Sequence, residues 1–173
     1  MRLVKVSSRA HYGLRAMTEL ARAYGKGPVA LSEIARTERL SQGYLEQLVA
    51  ALRRAGLVEA TRGAAGGYQL ARPPGSISVY EVYRAVEGPI ALVECADDGY
   101  VAGSCEREPL CASRGIWRRV RQAIEGVLSA TTLADLVREL ESEGGCEAAE
   151  PPAGFVRLDA LQHGSGKAMC TTR

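Results

Sequence analysis

Apolar positions along this chain repeat mostly at helical spacing, interrupted once by a strand-like stretch. Tyr12, Ala16, Met17, Leu20 and Tyr24 mark one face of a helix predicted from Ser8 to Tyr24, which Gly25-Lys26-Gly27-Pro28 ends. Val29-Ala30-Leu31 reads as a short extended piece. Ser32 is expected to cap a brief helix, Glu33 to Glu38, with Ile34 and Ala35 inward. After a turn at Arg39-Leu40, Leu45, Leu48, Val49 and Leu52 recur at i, i+3, i+4 and i+7 of a second helix. Ser41 can cap that helix, and Gly56 supplies a left-handed stop. Its other face carries Gln42, Gly43, Tyr44, Glu46, Gln47 and Arg53, none of which a core needs. A hairpin follows: Leu57 to Thr61, a loop Arg62-Gly63-Ala64-Ala65-Gly66-Gly67, then Tyr68-Gln69-Leu70. Its three glycines permit a sharp bend and close approach to another surface. A short helix, a tight turn, a longer helix with a polar face and an arginine-led hairpin make a winged helix-turn-helix pattern.

Beyond Pro73-Pro74-Gly75, Ser78-Val79-Tyr80-Glu81 has the form of a capping box. Val79, Val82, Tyr83 and Val86 continue it as an apolar stripe up to Gly88-Pro89. This helix is expected to pack on the first. From Ser113 a long helix shows a wide stripe of Ile116, Trp117, Val120, Ala123, Ile124, Val127 and Leu128, with Arg118, Arg119 and Arg121 on its polar side. Such a stripe exceeds what a small domain needs and points to a partner helix, most simply from a second subunit. Thr132 to Asp135 resembles a capping box and opens a short helix to Leu140. From Glu141 onward glycine, proline, alanine and acidic residues suggest a flexible tail. The expected organisation is a winged helix-turn-helix DNA-binding domain over residues 1–90, a cysteine-containing loop over 91–112, a dimerisation helix with a short following helix over 113–140, and the tail over 141–173. The fold class is mainly α with a small β-hairpin wing.

Charge sharpens the picture. Residues 1–90 hold 13 Lys or Arg against 7 Asp or Glu, whereas the remainder holds 9 against 13. A basic first half suits a partner with a phosphate backbone. Aromatic residues are only 5% of the chain, too few for a single-strand binder built on stacked rings. No apolar run reaches the length of a transmembrane helix, and the N-terminus lacks a signal peptide's apolar core, so the expected location is cytoplasmic, with no membrane partner. His11 and His163 are the only histidines and form no evident nucleophile–base constellation, which argues against an enzyme.

Five cysteines is an odd number for a disulfide framework. Cys95, Cys105 and Cys111 fall within 17 positions as Cys-x9-Cys-x5-Cys, in a glycine-containing loop before a helix. Thiolates on such a loop can hold an iron–sulfur cluster. Zinc is a rival, although the tight Cys-x2–4-Cys pair of structural zinc sites is missing. Redox chemistry and simple burial are also open. Cys146, His163 and Cys170 are scattered through the tail and read as incidental.

The segments MRLVKVSSRAHYGLRAM, LSQGYLEQLVAALRRAGLVEATRGAAGGYQL and CEREPLCASRGIW together resemble the IscR-type family of bacterial winged-helix transcriptional regulators, over roughly residues 1–140. The resemblance implies a homodimer that binds palindromic promoter DNA, with the helix from Ser41 in the major groove. It brings Ser41, Gly43, Tyr44, Glu46 and Gln47 to DNA-facing positions, with Gln42 on the same polar face, and Arg62 to the wing position that reaches the minor groove. The iron–sulfur relatives have serine where this chain has Gly43. Independently, glutamine can bond bidentately to adenine, and glutamate can accept from cytosine N4. The resemblance also implies a [2Fe-2S] or [4Fe-4S] cluster on Cys95, Cys105 and Cys111, and hence sensing of iron–sulfur, redox or nitric-oxide status. Cluster-free relatives that answer to a metabolite or a partner protein supply the alternative. Two departures bear on the cluster: the first spacing is x9 rather than x5, and Arg114 stands where the iron–sulfur regulator has histidine. A fourth ligand would then come from His11, Glu94, Glu106, Glu108 or a small exogenous group.

Overall fold

The computed structural model describes residues 6–63, 66–97 and 99–143 of the 173-residue chain. The tail expectation for residues 144–173, with Cys146, His163 and Cys170, lies outside the described residues. Helix α1 (Ser8–Arg22) begins where the Ser7 hydroxyl accepts the Ala10 N–H, and its Ala16, Met17 and Leu20 are almost wholly buried. It ends two residues earlier than the spacing predicts, leaving Tyr24 largely exposed. Helix α2 (Leu31–Glu38) starts at Leu31, with Ala30 at the cap position. Ser32 therefore lies inside the helix and does not cap it; the backbone turns helical two residues sooner without a side-chain acceptor. Helix α3 (Gln42–Arg54) is capped by Ser41 as expected, and Gly56, at φ 70°, follows its end.

Strands β1 (Val58–Thr61) and β2 (Gly67–Leu70) pair antiparallel with Val58 opposite Leu70 and Thr61 opposite Gly67. The hairpin does not stand alone. Val29 and Tyr68 exchange both backbone hydrogen bonds, at 2.9 and 2.8 Å, which stitches the segment before α2 to the wing. That seam demands glycine at 67: a Cβ there would collide with the Val29 carbonyl.

Helix α4 (Val79–Glu87) opens with the expected capping box, Ser78 and Glu81 each accepting the other's backbone N–H. It packs on α1, where a Cβ at Gly13 would lie 3.1 Å from a Val86 methyl. Arg72 and the Ser78 donors outweigh partial burial and hold the Glu81 carboxyl below its ordinary range. Helix α5 (Ser113–Ala130) runs past α4, and α6 (Leu133–Glu143) turns back onto α1. The return is anchored by the Leu133 N–H to Ile77 carbonyl bond at 3.0 Å and the Val79 N–H to Thr131 carbonyl bond at 2.8 Å, with Ile77 and Leu133 fully buried. Thr132 and Asp135 cap α6 reciprocally, and the helix runs to Glu143, three residues past the predicted end. No helix among the described residues is long and apolar enough to cross a membrane.

Replacing Gly67 with alanine is expected to break the Val29–Tyr68 seam and cost about 2–4 kcal/mol. Alanine at Gly43, where a Cβ meets nothing within 4 Å, is expected to leave stability unchanged or slightly raised. Thermal melts of the two variants check this.

Candidate nucleic-acid interface and cysteine loop

One side of α3 is sealed: Leu45, Leu48 and Leu52 have no exposed surface and Val49 has almost none. That leaves Ser41, Gln42, Gly43, Glu46 and Gln47 exposed on the opposite side. Ser41 spends one acceptor on the Tyr44 N–H, at 3.4 Å. Gln42 Nε2 donates to Glu46 Oε1 at 3.2 Å, so these two side chains act as a pair. Gly43 is open to solvent, with room for a larger residue. Tyr44 differs from its neighbours. It is half-buried and meets the Tyr12 ring edge-on at 6.2 Å, so its ring braces α3 against α1.

Arg62 leads the wing loop and is exposed. Around α3 lie further exposed arginines: Arg36 and Arg39 before it, Arg53 and Arg54 at its end. None of the five makes an ion pair among the described residues, whereas Arg9, Arg15, Arg22 and Arg72 on neighbouring elements all do. The polar face of α3 and the wing are thus set in a field of uncompensated positive charge. The pattern of apolar positions gives no reason to single out Arg36, Arg39 and Arg54.

The three loop cysteines are half-buried thiols. Cys95 lies in a turn of 3-10 helix, Glu94–Ala96, and Cys111 follows a second, Glu108–Leu110, just before α5. The hydroxyl of Ser113, 3.4 Å from its sulfur, and the backbone N–H groups of Arg114 and Ser113 draw the Cys111 thiol below its ordinary range. Cys111 is therefore biased toward the thiolate that metal ligation needs. The donor set suits an iron–sulfur cluster in its chemistry: soft sulfur donors, partly accessible, on one loop. As folded in the single chain, however, no three His, Cys, Asp or Glu side chains among the described residues gather into a metal-holding group.

A different group organises the loop. Arg114 Nε donates to the Cys95 carbonyl at 2.9 Å, its Nη1 pairs with Glu108 Oε1, and its guanidinium lies over the Tyr100 ring, 4.6 Å from the centroid. Glu108 Oε2 accepts from the Tyr100 hydroxyl at 2.9 Å and the Gly103 N–H at 2.6 Å. The Gly103 and Tyr100 donors, with Arg114, hold the Glu108 carboxyl below its ordinary range despite some desolvation. Both Glu108 oxygens are thus engaged, while Glu94, Glu106 and His11 are exposed. His11 lies on α1, beside Tyr12.

Arg121 corrects the sequence reading. It was expected on the polar side of α5 and is instead buried, at 8% exposure, with Asp97 at 3.9 Å and Glu125 at 3.8 Å. The Tyr80 hydroxyl on α4 donates to Glu125 at 3.4 Å. The outward stripe of α5 is as expected: Ile116, Trp117 and Val127 are 44%, 41% and 56% exposed.

Comparison with known proteins agrees with this architecture. A family model described as Rrf2, iron-dependent transcriptional regulator, matches residues 6–139. The HTH-type transcriptional regulator CymR of Bacillus subtilis is 45% identical over 140 residues, 81% of this chain and 94% of that protein. The HTH-type transcriptional regulator IscR of Klebsiella pneumoniae is 35% identical over 138 residues, 80% of this chain and 82% of its own. Among solved structures, T. potens IscR superposes with a TM-score of 0.68 at 39% identity, covering 84% of this chain and 94% of that one. The structure of B. subtilis CymR, the global cysteine regulator, gives 0.66 at 44% identity, covering 79% and 98%. These relatives are named transcriptional regulators and not enzymes. With the helix-turn-helix, the wing and the long α5 in place, the chain belongs to the Rrf2 family of transcriptional regulators.

Proposed function

We propose that this protein is a homodimeric, cytoplasmic regulator that reads a palindromic promoter site with α3 and the wing, and takes its input through the loop of Cys95, Cys105 and Cys111. The observation that carries the DNA reading is the division of α3 into a sealed face and a face of exposed Gln42, Gly43, Glu46 and Gln47 flanked by unpaired arginines. Gln47 can satisfy adenine N6 and N7, and Glu46 can accept from cytosine N4. Arg62 suits the negative potential of a narrow minor groove. Ser41 is the point where the N-terminus of α3 meets the backbone, and Tyr44 holds the helix at its angle.

The dimer follows from the apolar stripe of α5. An exposed tryptophan, isoleucine and valine on one helix are covered most simply by the same helix of a second copy, which sets two α3 helices at a fixed spacing.

For the input, the donor set favours an iron–sulfur cluster, [2Fe-2S] or [4Fe-4S], held by Cys95, Cys105 and Cys111. The group would supply iron–thiolate bonds sensitive to oxygen, nitric oxide and iron supply. The family's iron-dependent description supports this reading. A second reading rests on Arg114: the loop is already folded around an arginine–glutamate–tyrosine group in which no thiol takes part. A cluster-free loop answering to a metabolite or partner protein fits that arrangement, and the relative named as a global cysteine regulator supports it.

Anaerobically purified, iron-replete protein is expected to be coloured, with iron and sulfide in comparable amounts. The combined Cys95→Ala, Cys105→Ala, Cys111→Ala variant is expected to be colourless and altered in promoter affinity. A colourless wild-type protein whose triple variant binds identically rejects the cluster and leaves the second reading. Gln47→Ala is expected to cost about 1–3 kcal/mol at one base position of a duplex recovered by in vitro selection, and little at the others. Equal loss on random and selected duplexes would show that Gln47 does not read bases. Arg62→Ala is expected to weaken binding and to flatten the preference for narrow-groove flanking sequence, measured with A·T- and G·C-flanked versions of the same duplex.

A further inference from the structure

We infer that Arg39 is a phosphate-contacting residue of the DNA-binding surface, and that the backbone strain it imposes on the helix-turn-helix corner is the cost of placing a cation there. The inference rests on the reading of α3 as the DNA-facing helix. Among the described residues Arg39 is the one non-glycine residue with positive φ, at φ 54° and ψ 42°. The corner requires that conformation. The Arg39 N–H donates to the Arg36 carbonyl at 3.4 Å and the Leu40 N–H to the Ala35 carbonyl at 2.9 Å, a left-handed C-terminal cap that ends α2. Leu40 then packs against the core and Ser41 caps α3. A glycine would take the left-handed conformation without strain, and asparagine with little; a Cβ bearing a long side chain crowds the following carbonyl.

Nothing inside the described protein compensates for that choice. The Arg39 side chain is exposed and makes no ion pair, ring contact or hydrogen bond among the described residues. Strain held by a residue that supports nothing in its own fold points to a ligand outside it. Chemistry and place name the ligand. Arg39 carries a permanent cation with a planar array of donors, which matches phosphate oxygens. It lies two residues before the Ser41 cap, at the positive end of the α3 dipole. Arg36 is exposed one helical turn earlier on the same corner. A duplex whose groove admits the polar face of α3 brings a phosphodiester strand past the start of that helix. The contact positions the reading helix and carries no base information of its own.

The test uses the full chain with two substitutions, Arg39→Gly and Arg39→Lys, and two probes, a random-sequence duplex and a palindromic duplex recovered by in vitro selection. For Arg39→Gly the melting temperature is expected to rise by roughly 2–4 °C, because strain is relieved. Affinity for both duplexes is expected to fall together, by about fivefold or more at low salt. The slope of log affinity against log salt is expected to drop by roughly 1 per protomer. Base preference on the selected duplex stays as in the wild type. Arg39→Lys keeps the charge and the strain, so it retains most of the affinity and slope without the gain in melting temperature. A merely structural residue cannot give a more stable protein that binds less. Unchanged affinity and slope in Arg39→Gly overturns the inference, as does a loss confined to the selected duplex. Gln47→Ala separates the two levels: if it weakens the selected duplex while Arg39→Gly is inert, this inference fails alone, and if both are inert the reading of α3 fails with it.

Discussion

Leu45, Leu48 and Leu52 are sealed beneath the neighbouring helices, and a helix pinned along such a stripe cannot roll about its axis. The angular position of every other side chain on α3 follows from that seat. Ser41 fixes where the helix starts, and Tyr44 wedges its first turn against Tyr12. The hairpin inherits the same frame through Val29, whose two hydrogen bonds to Tyr68 join the entry of α2 to the second wing strand. Helix-turn-helix and wing are therefore one hydrogen-bonded and packed unit, with Gly67 admitting the contact that joins them.

The long helix is tied to this unit at both ends. Near its C-terminus, Thr131 to Leu133 share backbone bonds with Ile77 to Val79, so the exit of α5 is locked to the entry of α4. Near its N-terminus, Arg114 gathers the cysteine loop, and about two helical turns later Arg121 reaches Asp97 in the loop while Glu125 reaches Tyr80 on α4. A guanidinium buried at 8% exposure is tolerated only while carboxylates face it, since a buried charge left unpaired is costly. Any rearrangement of the loop that withdraws Asp97 therefore changes the balance of charge between α5 and α4. On the proposed reading, this links the loop through α5 to α4 whichever chemistry acts at the thiols.

The features legible in the sequence were those set by local rules. The Ser41 cap, the Ser78 capping box, the hairpin with its glycines and the stripe of α5 each follow from local spacing, and each lies where that spacing puts it, the hairpin strands to within one residue. What escaped depended on tertiary partners or on strain. Arg121 looks like a solvated arginine until Asp97, 24 positions earlier, folds over it. Arg114 was notable as the residue in place of histidine, but its role as the centre of the loop needs Tyr100, Glu108 and the Cys95 carbonyl brought together. Ser32 was a plausible cap that lost to a start two residues earlier, where local hydrogen bonding of Glu33 and Ile34 to the Ala30 carbonyl already closes the first turn. In the candidate site, the polar face of α3 was legible because burial of the opposite face dictates it, whereas the pairing of side chains on that face was not.

That pairing changes what α3 can offer to DNA. Taken singly, Gln42 presents a donor and an acceptor, and Glu46 presents a carboxylate that is repelled by phosphates and by acceptor-rich base edges. With Gln42 Nε2 donating to Glu46 Oε1, the amide spends one hydrogen on the carboxylate and partly offsets its charge. What remains turned outward is chiefly acceptor: the second carboxylate oxygen and the amide carbonyl. In the major groove acceptors are matched by the exocyclic amino groups of cytosine and adenine and opposed by guanine O6 and thymine O4. Gly43, between them in sequence, adds no side chain of its own and leaves room for the bases to approach. On the proposed reading, the pair therefore selects as much by what it repels as by what it binds, and Gln47, the residue after Glu46, with its amide unspent, is left to make the bidentate contact.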